Sequence, residues 1–433
     1  MFGLGGTVAH HTVKKGYVDL ADRINRFPQG APPSDLLFEI LQMLFSEREA
    51  ELVARLPIRP FTAERAARAW KTTPGEARTV LDQLSSRAIL LDIENNGETT
   101  YALPPPMAGF FEFSMMRIRD DVDQKVLAEL FFEYLNVEED FIKALFTQGE
   151  TQLGRTFVSE SSLPGDGSLH VLDYERASLI VHDATHIGIG VCYCRHKMDH
   201  MGRACEAPME ICMTFNNTAA SLTRHGFAHT VDTGECLDLL QQAHDLGLVQ
   251  FGENVQQRVN FICNCCGCCC EAMIAARRFG HLNPVHTTNF LPENDPDLCT
   301  GCGKCVAACP VEAMTLVSAN EPGKPKRKLA RLNAALCLGC GVCVPVCPEH
   351  GLELTERDER VITPIDSVQR TVAMAVERGT LQHLIFDNHA LASHRAMAAV
   401  LGAILRLPPV QKTMAKGQLG SRYLEKLIEW NGH

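Results

Sequence analysis

Residues 299–310 read CTGCGKCVAACP, and residues 337–348 read CLGCGVCVPVCP. Both stretches follow one spacing, C-x2-C-x2-C-x3-C, and both end in proline. Three thiols on so tight a loop can reach one small object, while the fourth sits at the start of the next segment and points the other way. Gly301, Gly303, Gly339 and Gly341 let backbone N–H groups approach sulfur. Pro310 and Pro348 turn the chain out of the site. Paired CxxC elements also suit a tetrathiolate zinc ion, but one zinc needs four thiols and not two matched quartets. The repeat is read as a pair of metal–sulfur loops, and it decides the fold of residues 296–355.

Around the repeat the composition is that of an ordinary globular chain, 45% apolar and 21% charged over 433 residues. This length suits roughly two to four domains. The formal charge of -11 argues against a general nucleic-acid binder, because phosphate contacts need a supply of Lys and Arg. The start, MFGLGGTVAHHTVKKGYVDL, has no basic stretch followed by an apolar core and no twin arginine, so no export signal is visible. No apolar run reaches the ~18 residues that span a bilayer. The expectation is a cytoplasmic protein. In that reducing compartment 19 cysteines are metal ligands or reactive thiols and not disulfides.

On these residues the repeat resembles the bacterial-type two-[4Fe-4S], or dicluster, ferredoxin family. The resemblance implies crossed ligation. Cys299, Cys302, Cys305 and Cys347 would hold one cluster, and Cys337, Cys340, Cys343 and Cys309 the other. It also implies electron transfer to redox partner proteins. The insert EPGKPKRKLARLN between the halves departs from a compact ferredoxin, as a solvated hairpin or as a basic docking patch.

Upstream, residues 261–273 read FICNCCGCCCEAM, and Cys192, Cys194, Cys205 and Cys212 lie before them. With Cys263, Cys265, Cys266, Cys268, Cys269 and Cys270 they make ten cysteines outside the repeat, and Cys236 stands alone as a core thiol. The first four could complete one tetrahedral set, for iron–sulfur or for zinc. If the run is helical, Cys263, Cys266 and Cys270 share one face, and Cys265 with Cys268 or Cys269 another. Thiols on two faces suggest ligation in two directions. Iron–sulfur is favoured over zinc, because the repeat next door gives such a cluster an electron route. Arg195, His196 and Lys197 would add positive charge beside it. The layout is similar to multi-cluster ferredoxin-like proteins of anaerobic bacteria. The triplet Cys265-Cys266-Gly267 resembles the CCG motif of heterodisulfide-reductase-type sites, without that family's downstream CxxC. Three histidine pairs, His182/His186, His196/His200 and His225/His229, have i,i+4 spacing but read as surface or hydrogen-bonded core residues.

The expected fold is α+β and multidomain. Residues 1–105 show helix, helix, helix and a hairpin turned at Asn96-Gly97, which resembles a winged helix. Helical residues 106–165 follow, then a Cys/His-rich mixed segment 166–292, the dicluster domain 293–360 and a helical tail 361–433. The recognition helix, read over residues 74–90, offers only Arg78 and Arg87, so no tight duplex-DNA complex is expected. The tail breaks at Pro408-Pro409, and its apolar stretch 396–407 is expected to pack on protein, with contact at a lipid surface as the lesser alternative. The leading reading is an iron–sulfur electron carrier or oxidoreductase subunit without its own chemistry. The rivals are a redox-sensing DNA-binding regulator and a reductase with an open-site extra cluster.

Overall fold

A computed structural model describes residues 14–163, 172–322 and 326–407. The N-terminus before residue 14, most of the SLPGDGS loop and the chain from Pro408 onward lie outside the described residues, so the proline break is among what they leave aside.

Helices Glu47–Val53, Ala63–Trp70 and Pro74–Ser85 precede a hairpin of β1 (Leu91–Asn95) and β2 (Glu98–Ala102). Two of these helices begin in capping boxes, Ser46 with Glu49 and Thr73 with Glu76. Asn96 and Gly97 carry φ of 51° and 83°, the left-handed pair a two-residue hairpin turn needs. The third helix ends at Ser85, five residues short of the expected limit, and Arg87 beyond it is ion-paired with Glu49. The hairpin does not stand free. Asp92 on β1 accepts hydrogen bonds from Ser221 Oγ (2.5 Å) and Arg224 Nη1 (2.6 Å), and faces His225.

The Cys/His-rich segment builds an antiparallel six-stranded sheet from β4 (Ile187–Val191), β5 (Glu210–Phe215), β6 (His229–Thr230), β7 (Val249–Glu253) and β8 (Phe261–Cys265), with β3 (Gly154–Thr156) added from the preceding stretch that was expected to be helical. The strand order is β3-β7-β8-β5-β4-β6. β5 and β8 are central neighbours, so Cys212, Cys263 and Cys265 come together in its middle. One face packs the core that contains Cys236, fully buried as expected. A larger core runs without a break from the N-terminal helices through Phe110, Phe111, Phe131 and Phe141 to Cys192, Cys265, Cys270 and Cys337. The N-terminal helices and the cysteine segment therefore share one interior.

The repeat carries two small antiparallel sheets: β9 (Phe290–Asn294) pairs with β12 (Leu352–Glu356) across its two ends, and β10 (Met314–Ser318) forms a hairpin with β11 (Lys328–Leu332). The basic insert, residues 321–333, includes strand β11. The tail begins with helices Ser367–Glu377, Leu381–Ile385 and Ala392–Leu405. The last packs through Ala398 and Gly402, and turns Met397, Val400 and Ile404 outward. Among the described residues no helix is long and apolar enough to cross a membrane.

Candidate metal centres

The two cysteine loops of the repeat turn on glycines with φ of 70° (Gly301), 80° (Gly303), 70° (Gly339) and 85° (Gly341). At two of them space forbids a side chain as well. A Cβ at Gly301 would meet Lys328 O at 2.3 Å, and one at Gly339 would meet Phe290 O at 2.2 Å. The loops are thus pressed onto backbone of β9 and β11. Cys299, Cys302, Cys305 and Cys347 border one small cavity with Gly301, Leu316 and Ala330. On the other side burial pushes Cys340 up to about 12, and the nearby Cys337 and Cys309 add to it. Burial likewise raises Cys343, with Cys340, Cys337 and Cys309 contributing. Backbone amides donate toward sulfur from Ala330 to Cys299 (3.4 Å), Ala313 to Cys309 (3.2 Å) and Gly339 to Cys337 (3.4 Å). Converging thiols with amide donors suit iron–sulfur clusters, whose charge such bonds stabilise.

Residues 298–360 match the family of 4Fe-4S dicluster domains. This is an iron–sulfur protein. No curated protein and no solved structure matches the chain, so nothing outside the dicluster domain is read from a relative.

The cysteine run is not a helix. Phe261–Cys265 is strand β8, residues 266–270 form a turn, and a helix begins only at Glu271. On a strand, i and i+2 share a face, so Cys263 and Cys265 point the same way and the helical grouping fails. The ten thiols nevertheless separate in two directions. Cys192 neighbours Cys212, Cys212 neighbours Cys263, and Cys263 neighbours Cys265. Cys265 lies 3.1 Å from Cys270, which also neighbours Cys194. These six form a continuous inner array. Cys205 leaves the set expected for it with Cys192, Cys194 and Cys212, and joins Cys266, Cys268 and Cys269 in an outer group whose sulfurs all lie within 4.8 Å of one another.

Protons are shared unevenly across both groups. The Cys269 thiol, with Cys268 and the Arg195 guanidinium, holds Cys266 down to about 4. Hydrogen bonds from Cys212 and Cys265 hold Cys263 down to about 7. Bonds from Cys194 and Cys265 keep Cys270 well below the usual thiol range. Thiolate is the form that binds metal.

Of the three cationic residues expected beside these thiols only Arg195 touches one, Nη2 to Cys266 Sγ at 3.8 Å. Lys197 is fully buried against Glu271 and donates to Asn136 Oδ1 at 2.9 Å, so its charge is already matched. His196 Nδ1 bonds Met115 O at 2.7 Å, a satisfied core histidine. His182 and His186 do not share a helix, because it ends at Asp183, and His225 and His229 lie beyond the end of theirs.

A cavity of about 310 Å³ opens in front of the inner array, bordered by Cys192, Cys194, Cys212, Cys263, Cys265 and Cys270. Glu112 lies deep in the protein with part of its side chain open to this space, and burial pushes it up to about 8. The Tyr193 hydroxyl, buried on the same wall, has no hydrogen-bond partner among the described residues. Neither residue was expected from sequence. For Glu112 a signal existed, since it is the lone acid within FFEFSMM (110–116).

Proposed function

We propose that the chain is an electron-transfer relay, or the electron-transferring subunit of an oxidoreductase. In this reading Cys299, Cys302, Cys305 and Cys347 hold one [4Fe-4S] cluster, and Cys337, Cys340, Cys343 and Cys309 the second. The inner thiols Cys192, Cys194, Cys212, Cys263, Cys265 and Cys270 hold an additional cluster. Bound clusters supply uptake and release of single electrons. The residues of this chain supply the thiolates, the amide donors and the exclusion of water. One observation carries the reading. Gly267, in the middle of the cysteine run, lies so close to Pro310 that a Cβ would come within 2.9 Å of its carbonyl oxygen. Pro310 directly follows Cys309, so the turn that carries the upstream thiols packs on the backbone beside a dicluster cysteine.

Crossed ligation gives the test. Cys347→Ser should damage the cluster held by Cys299, Cys302 and Cys305 and spare the other at first, as followed by EPR of the reduced protein. Loss confined to the signal of the Cys337, Cys340 and Cys343 cluster would sink the assignment. A redox partner protein is part of this proposal, and DNA is not. The hairpin that would serve as a wing is held by Asp92 against Ser221 and Arg224, and residues 74–90 offer little charge for phosphate.

A second reading is favoured by the cavity. About 310 Å³ beside the inner thiols is the volume of a small-molecule site, and Glu112, whose carboxyl burial shifts toward the protonated form, borders it. Under this reading the chain reduces a small, largely apolar molecule there. Filling the space by Met107→Trp should then abolish turnover while leaving iron content unchanged. Unimpaired electron delivery to a partner by that variant would favour the relay.

A further inference from the structure

The outer four thiols differ from every other cysteine set in how tightly they are drawn together. Cys268 and Cys269 stand 3.6 Å apart, Cys269 and Cys205 4.0 Å, and all four sulfurs lie within 4.8 Å of one another. Four thiolates bonded at ~2.3 Å to a single tetrahedral ion have sulfur–sulfur edges of about 3.8 Å. In a cubane each thiolate binds its own iron, and the four are spread further. The dicluster domain provides the internal comparison. Among the described residues the outer quartet is the only group of three or more His, Cys, Asp or Glu ligand atoms found within that distance, so neither dicluster quartet is drawn so close.

We propose that Cys205, Cys266, Cys268 and Cys269 form a separate mononuclear site for one divalent tetrathiolate ion, zinc or iron(II). The donor set and its surroundings agree. Cys269 is buried, Cys205 and Cys266 are half-buried and Cys268 is exposed, which places the site at the surface with all four ligands from protein. Four protein ligands leave no open position, the mark of a structural ion. Four thiolates around a divalent ion carry two net negative charges, and Arg195 stands against one of them at Cys266. Bound there, the ion fastens the loop carrying Cys205 to the turn carrying Cys266, Cys268 and Cys269. That turn includes Gly267, whose contact with Pro310 joins it to the dicluster domain. The ion therefore acts as a clip that holds the cysteine turn against the neighbouring domain. It departs from the iron–sulfur preference for all ten thiols, because four of them are drawn as close as ligands of a single ion.

The inference does not rest on the electron-transfer reading and fails separately from it. In a cubane, iron and sulfide are equal in number, so a mononuclear site leaves one metal in excess of sulfide. For the full-length protein purified anaerobically, total iron plus zinc should exceed acid-labile sulfide by one per chain. Cys268→Ser and Cys205→Ser should each lose that one metal with no loss of sulfide. Loss of about four irons together with about four sulfides would show a cubane instead and overturn the proposal. Unchanged metal content would overturn it too. Should a variant fail to fold, the wild-type count decides alone, and equality of metal and sulfide refutes the site.

Discussion

A chain carrying both Cys194→Ser and Cys265→Ser is expected to lose about four irons while keeping the roughly eight of the dicluster domain, since each cubane holds four. Cys194 and Cys265 are both neighbours of Cys270, so their removal separates Cys270 from the run of Cys192, Cys212 and Cys263. Only four of the six inner thiols then remain, without the two that link Cys270 to the rest. The dicluster cysteines are untouched, and their EPR signals should persist. Serine keeps the volume nearly unchanged, which limits collapse of the surrounding core. Iron and sulfide assays on matched anaerobic preparations read the difference. Disappearance of the dicluster signals with the surplus retained would invert the assignment.

The second large effect concerns stability. Lys197 and Glu271 form an ion pair with side chains 0% and 1% exposed. Asn136 closes the network, accepting from Lys197 Nζ at 2.9 Å and donating to Glu271 Oε2 at 2.7 Å. Glu271→Gln retains the shape but strands the Lys197 charge in the interior, which costs about 3–5 kcal/mol. A lower thermal midpoint for cluster loss and unfolding is expected. Replacing the pair together, Lys197→Met with Glu271→Leu, removes both charges and should recover most of the loss. A midpoint for Glu271→Gln equal to that of the wild type would refute this account of the pair. Glu271 directly follows Cys270, and Lys197 lies one helical turn beyond Cys194, so the pair also fixes the two segments that carry these thiols.

The dicluster loops were legible because their information is local. Spacing, glycines and prolines within a dozen residues dictate the turn, and Gly301 and Gly339 prove sterically obligatory. The hairpin turn at Asn96-Gly97 was legible for the same reason. The grouping of the other ten thiols was not. It depends on β5 and β8 lying side by side, a long-range pairing that no local period reveals, and a run of cysteines carries no apolar alternation to distinguish strand from helix. Cys205 was assigned to its sequence neighbours, although the turn after β8 is what reaches it. The cavity and Tyr193's unpartnered hydroxyl arise from packing between the N-terminal helices and the sheet, which sequence reading had treated as separate modules.

The chain's central claim is that it carries metal–sulfur clusters beyond the dicluster pair. Iron and acid-labile sulfide in the native protein, measured after strictly anaerobic purification with EPR of the reduced state, test it most directly. The account predicts more than eight irons per chain, about twelve with one additional cubane, and a reduced-state signal that the two dicluster centres do not explain. About eight irons, with the dicluster signals at full occupancy and the six inner thiols free to react with a thiol reagent after unfolding, would contradict it.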